Sequence, residues 1–130
     1  SIGMENTFLV DPNGISPQNL STAVDLFQLA KHLYFSKSSI LKITRGIFDN
    51  SFYQPSFPLK NLNLFGEEES FLGGKIGLLK ESGETMLAIF EVEFDKAKRP
   101  IAFIVLGSLN VKNDILTMLD FIKNSYQFSQ

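Results

Sequence analysis

Six consecutive apolar residues, Ile101-Ala102-Phe103-Ile104-Val105-Leu106, constrain this chain more than any other stretch. A strand sends alternate side chains to opposite faces, so a run that is apolar at every position needs cover on both faces and neighbours on both sides. The segment before it behaves differently. Between Thr85 and Phe94, the residues Phe90, Val92 and Phe94 alternate with Glu91, Glu93 and, just beyond, Asp95, the period-two pattern of an antiparallel strand with one wet face. Gly74 to Leu79 reads as a third strand, joined to the second by a turn at Glu81-Ser82-Gly83. The polar stretch Lys96-Ala97-Lys98-Arg99-Pro100 reads as the turn that leads into the apolar run.

Cover for such a sheet must come from helices. Leu26, Leu29, Ala30 and Leu33 fall at i, i+3, i+4 and i+7, a stripe that predicts a helix capped by Ser21 or Thr22 and lasting to about Phe35. A short helical turn is predicted over Ser38 to Ile43. The last helix runs from about Val111 to Tyr126, with Ile115, Met118, Leu119 and Ile122 on one stripe, Asn110 or Asn113 as cap, and a place across the sheet. Ahead of the first helix, Phe8-Leu9-Val10 is extended and Asp11-Pro12-Asn13-Gly14 is a turn. From Gly46 to Leu72 periodicity is lost, yet Phe48, Phe52, Tyr53, Phe57 and Phe65 make this loop too aromatic for a solvated linker. It is expected to pack on a neighbouring surface, with Gly66-Glu67-Glu68-Glu69-Ser70 as its exposed tip. The order of elements is that of an α+β fold, an antiparallel sheet with flanking helices, and 130 residues make one domain.

Charge and composition narrow the function. Twelve Lys and Arg against 14 Asp and Glu give a net charge of −2, and the basic residues are scattered, so the cationic stripe that nucleic acid demands is missing. There is no Cys and a single His, which excludes thiolate metal sites and a disulfide framework and argues for no cofactor and no metal. No run of 18 apolar residues exists, and the first six residues lack the basic and apolar regions of a signal peptide.

Three stretches, taken in order, resemble one family. Gly3-Met4-Glu5-Asn6-Thr7-Phe8-Leu9-Val10-Asp11-Pro12-Asn13-Gly14-Ile15 and then Leu20-Ser21-Thr22-Ala23-Val24-Asp25-Leu26 are similar to the "GM-x-NT-x-F-x-NP-x-GL … STA-x-DL" region of the serine D-alanyl-D-alanine carboxypeptidases. Asn61-Leu62-Asn63-Leu64, Gly73-Gly74-Lys75-Ile76-Gly77 and Ser82-Gly83 resemble that family's "N-x-N-x-L … DG-x-KTG … AG" segment. Arg99-Pro100-Ile101-Ala102-Phe103-Ile104-Val105-Leu106-Gly107-Ser108 resembles its last strand, "R-x-LIAVVLGA". The resemblance implies a penicillin-recognising, β-lactamase-like fold with about five strands, terminal helices on one face and a helical region on the other. It also implies an extracytoplasmic location and a peptidoglycan peptide as partner.

The family's chemistry uses a nucleophilic Ser and a Lys in Ser-x-x-Lys, a Ser-x-Asn loop and a Lys-Thr-Gly strand. The first two precede the "GM-x-NT" segment, so the resemblance implies that residues 1–130 are the C-terminal part of such a domain, lacking its N-terminal strands and nucleophile helix, and that no catalytic residue lies in this chain. Ser39-Ile40-Leu41-Lys42 matches Ser-x-x-Lys literally, but it follows the "STA-x-DL" helix, the wrong place for the family. The substrate-binding residues implied are Lys75, Ile76 and Gly77, where Lys75 can attract a substrate carboxylate and Gly77 lets a backbone approach. Ile76 replaces the Thr whose hydroxyl binds that carboxylate, and Leu79 replaces a second hydroxyl. An alternative is therefore a non-catalytic relative that binds a peptide or protein. Without the N-terminal strand, residues 101–106 would present an apolar edge. That edge is expected to pair with the missing half of the domain, with a second copy, or with the loop 48–72. His32, the Glu67-Glu68-Glu69 run and the Glu91, Glu93, Asp95 alternation are expected to be structural or solvated.

Overall fold

Period-two hydrophobicity, three short polar connections and two good helix caps produce six elements. A computed structural model describes residues 2–47, 60–94 and 97–126. In chain order the elements are α1 (Ala23–Ser36), α2 (Ser38–Arg45), β1 (Phe71–Leu79), β2 (Gly83–Phe94), β3 (Ala97–Ser108) and α3 (Val111–Ser125). The strands form an antiparallel sheet in the order β1-β2-β3. Phe48, Phe52, Tyr53 and Phe57 of the aromatic loop lie outside the described residues, as does Asp95.

Two expected boundaries shift. β1 starts at Phe71 rather than Gly74, because a register irregularity between Phe71 and Gly73 lets the ladder continue past the glycine pair. β3 starts at Ala97, so Ala97 to Pro100 is strand and not turn, with Lys98 opposite Glu93 and its ammonium 3.4 Å from the Glu91 carboxylate. The Glu91–Glu93 alternation is accordingly the wet end of a strand, as expected. The rest of β2 is not half-solvated: Met86 to Phe90 are all buried, because both faces carry helices.

On one face Met86, Ala88, Phe90 and Val92 of β2 join Phe71, Phe103 and the loop residue Phe65 beneath Val111, Ile115 and Leu119 of α3. The Phe90 ring stands edge-on to Phe65 and Phe103, with centroids 5.2 and 5.7 Å away. Phe65 is thus the part of the aromatic loop whose packing the sequence anticipates, and Glu67, Glu68 and Glu69 are exposed beside it. On the opposite face Leu87 and Ile89 meet Ala30 of α1 and Leu41 of α2.

Among the described residues the sheet has two edges without a strand neighbour, and one hydrogen bond fixes which backbone groups reach them. Glu91 donates its N–H to the Ser70 carbonyl at 2.7 Å, on the β1 side. Residues directly opposed in an antiparallel pair either exchange both bonds or both face away. Glu91 opposes Pro100, so Pro100 faces away from β2, as a residue without an N–H must, and Ala102 and Ile104 follow it in period. Among the described residues β3 has β2 as its sole strand neighbour, so the expectation of neighbours on both sides is not met there.

The N-terminal segment is tied to α1 rather than to the sheet. Thr22, not Ser21, is the cap: its hydroxyl accepts the Asp25 N–H at 3.1 Å. The Asp25 carboxylate, 2% exposed, accepts the Asn6 N–H at 2.8 Å and the Thr7 hydroxyl at 2.7 Å. A single bridge, Phe8 to Leu20, extends this clamp. At α3, Asn110 rather than Asn113 caps the first turn, and Glu84 of β2 accepts the Val111 N–H at 2.7 Å. Replacing Asp25 with Ala strands the Asn6 N–H and the Thr7 hydroxyl while leaving the backbone cap to Thr22 in place, for which we expect a loss of about 2 to 3 kcal/mol in urea unfolding. Asp25→Asn, which keeps an acceptor oxygen, should lose less; equal losses would remove the carboxylate from this role.

Candidate functional site

The strand that carries Lys75 is seated by glycines. Gly73 has φ +148°, and a Cβ there would lie 2.5 Å from the Leu41 carbonyl oxygen, so only glycine lets α2 approach β1 this closely. The next residue, Gly74, gives its N–H to the Thr44 hydroxyl at 2.9 Å and takes the Asn63 side-chain amide on its carbonyl at 3.0 Å. The outer edge of β1 is therefore closed at position 74 and opens again at 76.

Lys75, Ile76 and Gly77 do stand together at this edge, with different orientations. Lys75 opposes Leu87 and is exposed; its ammonium donates to the Ile76 carbonyl. Ile76 opposes Met86 and packs, half-buried, against the α3-side core. The hydrophobic side chain at position 76 is thus used by the core. Gly77 leaves room for Thr85, whose hydroxyl would be 2.7 Å from a Cβ at position 77. Leu79 is half-buried at the end of the strand.

Facing this edge is a groove of about 650 Å³ between β1 and the segment 14–21. Its polar lining comes from Ser16, Asn19, Ser21, Lys75, Glu81, Ser82 and Thr85, interleaved with apolar side chains such as Ile15, Leu20 and Leu78. The far wall is shaped by Asp11, which sequence reasoning placed in a turn and gave no further role. Asp11 accepts the Gly14 N–H at 2.5 Å, the Ser16 N–H at 2.6 Å and the Asn19 amide at 3.1 Å. Asn19 in turn accepts the Val10 N–H at 2.8 Å. Desolvation pushes the Asp11 carboxyl upward, but the bonds from Asn19, Ser16, Gly14 and Ile15 outweigh it and hold the pKa below its ordinary value of 3.8. A groove with a cation, a carboxylate, hydroxyls and a strand edge can offer an extended peptide main-chain and charged contacts.

The literal Ser-x-x-Lys match lies elsewhere. Ser39 and Lys42 are exposed on α2, no hydrogen bond joins them among the described residues, and Leu41 between them is buried under the sheet. His32 is half-buried on α1. Among the described residues no group of three or more His, Cys, Asp or Glu side chains is arranged to hold a metal ion, and no helix is long and apolar enough to cross a membrane.

Because the folded pKa of Asp11 lies below the unfolded one, its contribution to stability is present above the unfolded value and is lost as pH falls through the folded value. Wild type should therefore exceed Asp11→Ala in urea midpoint at about pH 6, and the gap should be smaller at about pH 2. A gap of the same size at both pH values would rule out the carboxylate as the anchor of this wall.

No known protein family, curated protein or solved structure matches this chain.

Proposed function

We propose that this chain contributes a substrate-binding strand to a serine D-alanyl-D-alanine carboxypeptidase-like domain, acting outside the cytoplasmic membrane on peptidoglycan stem peptides. The observation that carries the reading is the open edge of β1 at Ile76, with Lys75 beside it on the wall of a groove of mixed polar and apolar lining. An extended peptide would add to that edge through main-chain hydrogen bonds, and its terminal carboxylate would take the Lys75 ammonium in place of the Ile76 carbonyl. In such a reaction a serine oxygen attacks the peptide carbonyl, D-alanine leaves with the proton, and water hydrolyses the acyl ester. That serine is assigned to residues beyond these 130, and no residue of this chain is given a catalytic role. The strand 101–106 is assigned to a protein contact, with the remainder of such a domain or with a second copy.

A second reading, a non-catalytic relative that binds a peptide or protein, is favoured by one observation: Ile76 is drawn into the core and offers the groove no hydroxyl. The two are separated by capturing the polypeptide that carries this sequence from its source, exposing it to a labelled penicillin and reading its intact mass. A gain of one penicillin is the expected result for the peptidase, and Ile76→Thr should then raise the acylation rate. No gain, with or without Ile76→Thr, selects the binding-only relative. The 130-residue chain alone should release no D-alanine from a D-alanyl-D-alanine peptide, and release that disappears in Ser39→Ala would overturn both readings.

A further inference from the structure

The second open edge of the sheet is unlike the first. Pro100, Ala102 and Ile104 turn their backbone groups away from β2, as the Glu91 to Ser70 bond and the Glu91–Pro100 register require. Around this edge runs an apolar trough of about 640 Å³, with Val24 and Phe27 of α1 on one side and Met118 and Phe121 of α3 on the other. Val24 is 68% exposed, Phe27 46% and Phe121 69%, so the walls project beyond the strand with nothing over them among the described residues. Unpaired strand groups at the floor specify a β-strand as occupant, and apolar walls on both sides specify a strand apolar on both faces. Among the described strands β3 combines that composition with a free edge: Ile101, Phe103 and Val105 lie on one face, Ala102 and Ile104 on the other.

We propose that β3 pairs antiparallel with β3 of a second copy of this chain about a two-fold axis at Ala102, joining two three-stranded sheets into one of six. This deepens the assignment of strand 101–106 to a protein contact and is independent of the role given to Lys75. The axis falls at Ala102 because the regular register of β3 ends at Val105, where a bulge begins, and because outward-facing positions must oppose one another. Each Ala102 then exchanges both of its bonds with the other, and each Ile104 N–H donates to the partner's Pro100 carbonyl. The one donor that proline lacks falls at the ends of the seam. Charge permits the pairing: Arg99 comes opposite Val105 of the partner subunit and Lys98 opposite Leu106 of the partner subunit, so like charges are kept apart. Phe27 and Phe121 of both copies are covered in the process.

Sedimentation equilibrium of the 130-residue chain tests this, together with amide hydrogen exchange. The mass should rise from monomer to dimer between about 1 and 100 μM. The Ala102 and Ile104 amides should exchange at least about tenfold more slowly in the dimer, while Ile101, Phe103 and Val105 are protected at every concentration. Ala102→Pro removes only an edge-facing donor and should weaken the dimer about tenfold or more. If Ala102→Pro loses the protection at Ile101 and Phe103 it has unfolded, and Phe121→Asp, at an exposed wall position, decides in its place with the same expected loss. A monomer at 100 μM, or a dimer unmoved by Phe121→Asp and by a folded Ala102→Pro, overturns the proposal. So does protection of the Ala102 and Ile104 amides in the dilute monomer, which would place another segment of the chain on this edge. None of these outcomes depends on whether penicillin acylates the longer polypeptide.

Discussion

Both helical layers of this protein depend on one strand that is buried on two faces. Met86, Ala88, Phe90 and Val92 of β2 receive α3, while Leu87 and Ile89 of the same strand receive α1 and α2. A large apolar side chain removed from water contributes roughly 1.5 to 3 kcal/mol, so neither layer can be lost without exposing the floor of the other's sheet. The pattern also explains why β2 lies in the middle of the sheet: a strand with two apolar faces is least stable where its backbone edges are open to water.

The two layers are held by different means. Among the described residues ten buried side chains make up the α3-side core and four the α1/α2 side, so within them the second layer has less apolar burial to hold it in place. Polar clamps take over there. Thr44 and Asn63 close Gly74 of β1, Gly73 admits Leu41, and Asp25 fastens residues 6 and 7 to the first turn of α1. Each clamp is short in space and long in sequence, the geometry that fixes how a helix sits on a sheet where side-chain packing leaves freedom.

Much of this was legible in the sequence, for reasons that can be traced. Period two revealed β2, an unbroken apolar run revealed the core of β3, and period 3.6 with Ser21 or Thr22 and Asn110 or Asn113 as candidate caps revealed α1 and α3. Propensity and polarity misplaced the start of β3, because Lys98 and Arg99 read as a turn until a cross-strand glutamate is seen beside them. The start of β1 was hidden by Gly73, whose positive φ reads as a break in a chain and serves here as a bulge. The motif residues Asn6, Thr7, Ser21 and Asp25, separated by up to 19 positions, meet in one hydrogen-bonded cluster. Spacing alone gave no reason for that meeting, since it depends on the path of the segment between them. Lys75, Ile76 and Gly77 were found by a short pattern, but that Ile76 belongs to the core and Asp11 to the wall of the groove required the fold.

The contrast between the two sheet edges follows from what flanks them. At β1 the flanks mix charged and polar groups, Lys75, Glu81 and Thr85 among them, with apolar side chains such as Ile15, Leu20 and Leu78, and an incoming strand would meet backbone and charge as well as apolar surface. At β3 the flanks are Val24, Phe27, Met118 and Phe121, and an incoming strand would be gripped by burial on both faces. The β1 edge is closed at Gly74 by Thr44 and Asn63, whereas the outward groups of β3 at Ala102 and Ile104 are unpaired by any strand among the described residues, and the walls differ as well. A groove of mixed lining suits a ligand that comes and goes, and a trough apolar on both walls suits a strand that stays. One small sheet thereby separates an edge fit for exchange from an edge fit for assembly, with β2 between them keeping the two strands in fixed register.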